Sequence, residues 1–143
     1  QEGDNIYLEL KIYEAIEDPD VLASAFEREG VDKSTPMTAD SSDKYVSENK
    51  GAIEMVRSLI AHGYSCQKVS KTKSVMFWLG SMKRFKIHIV KNNLVKFATV
   101  EQQNYKLREI NGIAINQPVD KNNHFWDAAR YAHMSYNVSS SIW

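Results

Sequence analysis

The chain contains 143 residues, of which 43% are apolar and 25% are charged. This composition excludes an intrinsically disordered chain, and the length predicts one compact domain over residues 1–143. No apolar run approaches the roughly 20 residues that a membrane span needs, and the first residues lack a signal segment, so we expect a soluble protein with no membrane partner. Cys66 is the only cysteine. It excludes an intrachain disulfide, fits a reducing compartment and is expected to pack as a small apolar residue in a strand.

Charge is distributed unevenly along the chain although the net charge is zero. Residues 1–54 contain 14 Asp or Glu against 5 Lys or Arg, whereas residues 55–143 contain 13 basic against 4 acidic residues. The balance therefore passes from −9 to +9. Such a division is typical of an acidic metal-binding side next to a basic surface for a polyanion, and ordinary solvated faces give the same pattern.

The first half of the chain alternates between strand and helix patterns. Apolar residues at every second position predict a strand over residues 6–12, and Asp18-Pro19 begins an amphipathic helix that ends near Gly30. Residues 35–40 read as a short strand that ends on Asp40. We then expect a long helix that is capped by residues 41–43 and ends at His62-Gly63, with an apolar stripe formed by Ile53, Val56 and Ile60.

The second half continues the alternation, which predicts an α/β domain. The predicted elements are a strand at 64–69, a helix at 74–84, a strand at 86–90, a helix at 94–104 and a final helix from Asn122 or Asn123, followed by a loose tail from Val138. Asn111-Gly112 has the turn chemistry of a two-residue hairpin. Trp78, Tyr105, Trp126 and Tyr131 fall on predicted helices and are expected to pack in the core.

Two carboxylates stand out by their positions. Asp40 lies at the carboxyl end of a predicted strand, where α/β sheets tend to place their sites, and Asp127 lies near the start of the last helix. His124 precedes Asp127 by three residues, so both side chains share a helix face, where an imidazole can help bind a cation or protonate a leaving group. Either aspartate alone is more often a helix cap or a surface charge, and the histidine alone is a surface residue near the start of a helix.

The run from Asp120 to Ala132 resembles the closing motif of phage large terminases, the motors that package and cut viral DNA. In that motif an Asn-His pair is followed by Asp-Ala-x-Arg-Tyr, as in Asn123-His124 and Asp127-Ala128-Ala129-Arg130-Tyr131 here. Residues 38–43 are similar to the family's Ala-Asp-Ser-x-Glu stretch, with Asp43 in place of the glutamate. Residues 71–75 resemble a lysine-containing turn that precedes a helix. The likeness covers most of residues 4–137.

The resemblance implies an RNase H-like nuclease domain, with a mixed sheet flanked by helices. It implies that Asp40 and Asp127 are catalytic metal ligands for Mg²⁺ or Mn²⁺ in a two-metal site, and that His124 is an auxiliary catalytic residue. Double-stranded DNA is the implied substrate, and Lys71 and Lys73 are candidate contacts to its backbone. A packaging ATPase domain, the small terminase and the portal are implied partners, in the cytoplasm of a host cell.

One departure from the family pattern concerns the first catalytic aspartate. The family carries it in a Gly-x-Asp-x-Gly stretch on a first strand, and the chain shows no such stretch. Asp4 follows a glycine but falls in an expected turn, so it is not assigned that role. We therefore expect the domain without its first strand, with an incomplete metal site and weak or absent activity by itself, since two-metal sites need carboxylates from several elements.

Three functions remain open from the sequence. The first is the terminase nuclease; no Gly-x-x-x-x-Gly-Lys-Ser/Thr loop occurs in these residues, so ATP hydrolysis by that mechanism is not expected of them. The second is another RNase H-like nuclease of the resolvase or transposase type. The third is a non-catalytic module that docks onto DNA or the portal.

Overall fold

The computed structural model describes residues 1–40, 44–47, 51–105, 107–118 and 123–140. Within these ranges the fold is mixed α/β, as the sequence predicts. In chain order the elements are β1 (Asn5–Leu8), α1 (Pro19–Arg28), β2 (Met37–Ala39), β3 (Lys44–Ser47), β4 (Gly51–Glu54), α2 (Met55–Ala61), β5 (Cys66–Lys68), α3 (Val75–Met82), β6 (Lys86–Ile89), α4 (Val95–Asn104), β7 (Leu107–Ile110), β8 (Ile113–Pro118) and α5 (His124–Ser140). No helix in the described ranges is both long enough and apolar enough to cross a membrane.

The chain divides into two compact units. Unit 1 consists of Gln1–Tyr13 and Lys71–His133, and unit 2 consists of Glu14–Ser70 and Met134–Trp143. Each unit contains an apolar core of its own. A single domain over residues 1–143 stays a prediction.

Unit 1 contains the parallel pair β1 and β6, in which every residue from Asn5 to Leu8 has a partner between Lys86 and Ile89. The strand β1 ends at Leu8, whereas the alternation predicts a strand as far as residue 12. Leu10 is nevertheless buried, and its carbonyl oxygen accepts a hydrogen bond from Asn92 Nδ2 at 2.9 Å. The alternating pattern therefore marked the buried face correctly beyond the end of the strand.

The core of unit 1 forms where α4 and the start of α5 meet the chain after β1. Its fully buried members are Leu10, Ala98 and Phe125, with half-buried apolar neighbours that include Phe97 and Trp126. The packing role predicted for Trp126 is confirmed by this contact. Burial of such side chains is the main favourable contribution to folding, since each stabilises the folded state by roughly 1.5–3 kcal/mol.

The antiparallel hairpin of β7 and β8 also belongs to unit 1, and it confirms the predicted turn. Asn111 and Gly112 connect the strands with φ values of 52° and 76°. A two-residue turn of this type requires positive φ at both positions, which asparagine tolerates and glycine adopts without steric cost.

Unit 2 begins with α1, whose predicted limits are confirmed. The Asp18 side chain caps the helix by accepting a hydrogen bond from the Asp20 N–H at 2.8 Å, and Pro19 occupies the first turn. The parallel pair β2 and β5 follows, and the Cys66 thiol lies buried in β5 as expected. Burial raises the pKa of the Cys66 thiol above its ordinary value. That cysteine therefore acts as a small apolar residue of the core.

The long helix predicted after residues 41–43 is wrong in its first half, and those three capping residues lie outside the described ranges. The structure has the antiparallel pair β3 and β4 there, with Tyr45 opposite Ile53 and Val46 opposite Ala52. Aromatic and β-branched residues favour strands, and Gly51 inside a helix would cost roughly 0.5–1 kcal/mol. These local preferences prevailed over the apolar spacing from which the helix was predicted.

Only the second half of that prediction survives, as the short helix α2. Its buried residues are Met55, Val56 and Leu59, whereas Ile60, a member of the predicted stripe, is 53% exposed. The predicted stripe is therefore confirmed at Val56 and wrong at Ile60. The last helix is also longer than predicted, because α5 continues through Ser140 where a loose tail was expected from Val138.

The neighbouring residues Leu59 and Ile60 offer a matched test of the core of unit 2. Leu59 is 2% exposed, so Leu59→Ala should lower the free energy of unfolding by about 3 kcal/mol through lost burial and a residual cavity. Ile60→Ala should change it by less than about 1 kcal/mol, since the side chain faces solvent. Urea unfolding followed by circular dichroism measures both values, and equal losses in the two variants would contradict the assigned face of α2.

Candidate functional site

Asp127 occupies the first turn of α5, in unit 1, as predicted. Its Oδ1 accepts a hydrogen bond from the Arg130 guanidinium at 2.9 Å, one turn later along the helix. The Arg130 side chain is only 9% exposed and that of Asp127 is 34% exposed. The arginine therefore fixes the orientation of a carboxylate that solvent still reaches, and other lone pairs of the carboxylate stay available for a cation.

His124 is the first residue of α5, and its side chain is exposed. It lies three positions before Asp127 on the same helix, so the two side chains share one face. The Asp127 N–H donates to the Asn123 carbonyl oxygen at 2.8 Å, which closes the first turn. The spacing predicted from the sequence is therefore realised on a helix, and an imidazole and a carboxylate are presented together at its start.

Glu101 is a structural determinant of this site that the sequence analysis did not find. It lies on α4 and is only 2% exposed. Its Oε1 accepts a hydrogen bond from the Tyr13 hydroxyl at 2.8 Å, and its Oε2 accepts one from the Phe125 backbone N–H at 2.6 Å. Buried carboxylates need such partners, and the first N–H groups of a helix need acceptors. Glu101 therefore fixes the start of the helix that carries His124 and Asp127.

A signal for Glu101 exists in the sequence, although it is weak. Ala98, which is fully buried, precedes Glu101 by three residues and so lies on the same face of α4. A charged residue on an otherwise buried helix face needs a partner. The partners come from sequence positions 13 and 125, which no local pattern connects to α4.

Tyr13 is held by two contacts in unit 1. Its ring stacks on Phe97 with the ring centroids 4.4 Å apart. The pKa of Tyr13 is raised, first because its hydroxyl donates to Glu101, and further because of burial and the negative charge of that carboxylate. The Tyr13 hydroxyl therefore keeps its proton and its hydrogen bond to Glu101 over a wide range of pH.

Tyr105 connects this region to Asp127 electrostatically. Its ring lies 6.1 Å from that of Trp126, measured between centroids. The pKa of the Tyr105 hydroxyl is raised chiefly by burial and also by the charge of Asp127, while the charge of Arg130 opposes the rise. The hydroxyl thus lies within the field of the Asp127–Arg130 pair and stays protonated.

Asp40 belongs to unit 2 and directly follows β2, at the carboxyl end of a parallel strand, as predicted. It is half-buried and has interaction partners. The preceding strand is anchored on two sides, since the Ala39 carbonyl oxygen accepts from the Val69 N–H at 2.9 Å and the Thr38 hydroxyl bonds to that of Ser135 on α5. Asp40 and Asp127 fall in different units, and their sharing of one cation stays a prediction.

The lysines predicted to contact DNA lie before α3. Lys71 and Lys73 are both exposed, and the Lys73 ammonium lies 4.4 Å from the centroid of the Phe77 ring. Ser74 caps the helix by accepting from the Phe77 N–H at 3.1 Å. Lys68, three residues before Lys71, forms an ion pair with Glu54. That pairing makes Lys68 a weaker candidate for a phosphate contact than Lys73.

The donor chemistry of the predicted metal ligands fits a hard divalent cation, because carboxylate oxygens are the ligands that Mg²⁺ and Mn²⁺ prefer. The Asp127 carboxylate fits this role, since Arg130 engages it through one hydrogen bond to one of its oxygens. Among the residues that the structure describes, no group of three or more His, Cys, Asp or Glu side chains could hold a metal ion. The use of Asp40, His124 and Asp127 as one metal site stays a prediction.

Comparison with known proteins identifies no relative: no family model, no curated protein and no solved structure matches the chain. The assignment to a family therefore depends on the residue motifs alone.

Removal of the Glu101 carboxylate tests its role at the start of α5. Glu101→Ala leaves the Tyr13 hydroxyl and the Phe125 N–H without their partner, and each buried donor without a partner costs about 1–3 kcal/mol. We expect the free energy of unfolding to fall by about 2–4 kcal/mol and the Phe125 amide to exchange its hydrogen faster. The exposed neighbour Gln102, changed to alanine, serves as the control and should alter neither quantity appreciably.

The same contact predicts a pH dependence. The pKa of Tyr13 is higher in the folded protein than in the unfolded chain. The Tyr13–Glu101 contact therefore stabilises the folded state fully at a pH below the ordinary tyrosine pKa of about 10, and this stabilisation is lost as the pH rises through the raised pKa. In Glu101→Gln the charge is removed, so the Tyr13 pKa should move back toward its ordinary value. Ultraviolet titration with Tyr13→Phe as the reference identifies this transition, and an unchanged Tyr13 titration in Glu101→Gln would contradict the assigned hydrogen bond.

Proposed function

We propose that the chain is a divalent-metal-dependent DNA endonuclease domain of the RNase H-like kind, from the large terminase of a virus that packages double-stranded DNA. One observation carries the proposal. The motif that resembles the family's closing sequence lies at the start of a helix, with Asp127 in the first turn, oriented by Arg130. Asp127 is thus a partly exposed carboxylate in a fixed orientation, and the resemblance implies that it binds a metal ion.

The position of Asp40 supports the proposal independently. The residue directly follows β2, which pairs in parallel with β5. Active sites of α/β proteins form at the carboxyl ends of parallel strands, because loops of neighbouring strands converge there. The stretch that resembles the family's Ala-Asp-Ser motif therefore places its aspartate where a catalytic residue is expected.

The proposed reaction is hydrolysis of a phosphodiester bond. Bound Mg²⁺ or Mn²⁺ supplies charge stabilisation at the attacked phosphate and lowers the pKa of an attacking water. Asp40 and Asp127 hold the cations, and Arg130 keeps the Asp127 carboxylate in one orientation. His124, exposed on the same helix face as Asp127, protonates the leaving oxygen. Complete two-metal chemistry needs the further aspartate that the family carries in its Gly-x-Asp-x-Gly strand.

The exposed basic residues before α3 provide the proposed contact to the DNA backbone. Lys73 and Lys71 precede Ser74, the cap of α3, and the amino terminus of a helix carries a partial positive charge. Phosphate groups are attracted by both features without regard to base sequence. In the terminase context the domain cuts concatemeric DNA during packaging, next to an ATPase domain and in association with the small terminase and the portal.

A cleavage assay in Mn²⁺ tests the proposal, with the chain extended at its amino terminus by a strand that carries the Gly-x-Asp-x-Gly stretch. Linear double-stranded DNA should be cut, and Asp40→Asn and Asp127→Asn should each lower the rate at least about 100-fold, since loss of even an outer partner of a metal ligand costs about 10- to 100-fold. Asp4→Asn is the matched control, because Asp4 lies in the turn before β1 and has no assigned role.

Three results decide the matter. Cleavage that both site variants lose and the Asp4→Asn control retains supports the nuclease. Undiminished cleavage by both site variants rejects the assigned ligands. Salt-dependent DNA binding by the folded protein without any cleavage favours the docking module instead.

A further inference from the structure

Unit 1 contains an apolar cavity of about 310 Å³ that takes no part in the proposed nuclease reaction. Four aliphatic side chains line it: Met76, Leu79 and Met82 from α3, and Ile87 from β6. A cavity of about 150 Å³ is sufficient for benzene, and ligand sites begin near 300 Å³. The space therefore suits a small molecule with an apolar body, and the two flexible methionines can adapt to its shape.

The polar groups around this cavity share one property, which is that they are hydrogen-bond donors. The rings of Tyr105 and Trp126 complete the lining. The Tyr105 hydroxyl and the Trp126 indole N–H are shielded from water, and neither has a hydrogen-bond partner among the described residues. An unpartnered buried donor costs about 1–3 kcal/mol, so a ligand that brings an acceptor to either group gains that energy.

Lys83 adds a positive charge to the same lining. It is exposed, and no carboxylate in the described part of the chain forms an ion pair with it. The negative charge of Asp127, which acts on Tyr105, is already paired with Arg130. Within the part of the chain that the structure describes, the charged group of the lining is therefore a lysine without a counter-ion, next to two neutral donors.

We infer that this cavity is a binding site for a small amphipathic anion, with an aliphatic or aromatic body among the α3 side chains and a carboxylate at Lys83. The apolar lining selects the body, and the donors together with the lysine select an acidic headgroup over a basic one. The inference is independent of the nuclease, since none of its residues is a proposed metal ligand.

Decanoate and decylammonium, kept below the concentrations at which they form micelles, test the inference as probes of equal chain length and opposite charge. Calorimetric titration of the protein should give a dissociation constant below about 1 mM for decanoate and much weaker binding of decylammonium. In nitrogen–proton spectra, decanoate should shift the indole signal of Trp126 and the backbone signals of α3.

Two variants and one control accompany the probes. Lys83→Glu should weaken decanoate binding about fivefold or more, and Met76→Trp should weaken it by filling the cavity while leaving the unit folded. Lys91→Glu makes the same change of charge at an exposed lysine outside the cavity and should leave the affinity unchanged. The inference fails if decylammonium binds as tightly as decanoate, if Lys83→Glu behaves like Lys91→Glu, or if the Trp126 signal does not move.

Discussion

The Glu101 carboxylate joins three parts of unit 1 that are distant in sequence. It accepts hydrogen bonds from the Tyr13 hydroxyl after β1 and from the Phe125 N–H at the start of α5, while its own backbone belongs to α4. Its side chain has almost no access to water, so both bonds are needed to offset the cost of burying the charge. The negative charge also faces the amino terminus of α5, which the helix dipole favours. The orientation of His124 and Asp127 depends on this contact, because it fixes where α5 begins.

A second layer of constraint acts on the Asp127 side chain. Arg130 is nearly buried and donates to Asp127 one helical turn away, so a rigid guanidinium holds a carboxylate that remains partly open to solvent. The two contacts give Glu101 and Asp127 different roles. Glu101 is buried, has hydrogen-bond donors for both of its oxygens and serves the fold. Asp127 is held in one orientation by Arg130 and is partly exposed to solvent, as the proposed binding of a cation requires. The cavity beside Trp126 adds a different chemistry to the same unit, since its polar side-chain groups are a tyrosine hydroxyl, an indole N–H and a lysine ammonium.

Local patterns predicted the elements whose signals are themselves local. The limits of α1 and the Asn111-Gly112 turn follow from residue types at fixed positions. The helix predicted for the segment before α2 was wrong, because the apolar spacing favoured a helix while the β-branched and aromatic residues favoured the β3–β4 pair. Glu101 was missed for a different reason, since its partners lie 88 and 24 residues away and only folding brings them together. His124 and Asp127 lie on the helix predicted for them and Asp40 directly follows the predicted strand, whereas their common function stays a prediction from the resemblance.

The proposed function requires that Asp40 and Asp127 bind the same divalent cation. Paramagnetic broadening by Mn²⁺ tests it directly, because the effect falls steeply with distance from the ion and does not require catalysis. When Mn²⁺ is added below equimolar amounts to the folded protein, the amide signals of residues 40 and 127 should broaden together, with one affinity, and Mg²⁺ should reverse the effect. Broadening that reaches only one of these two residues, or neither of them, would contradict the account.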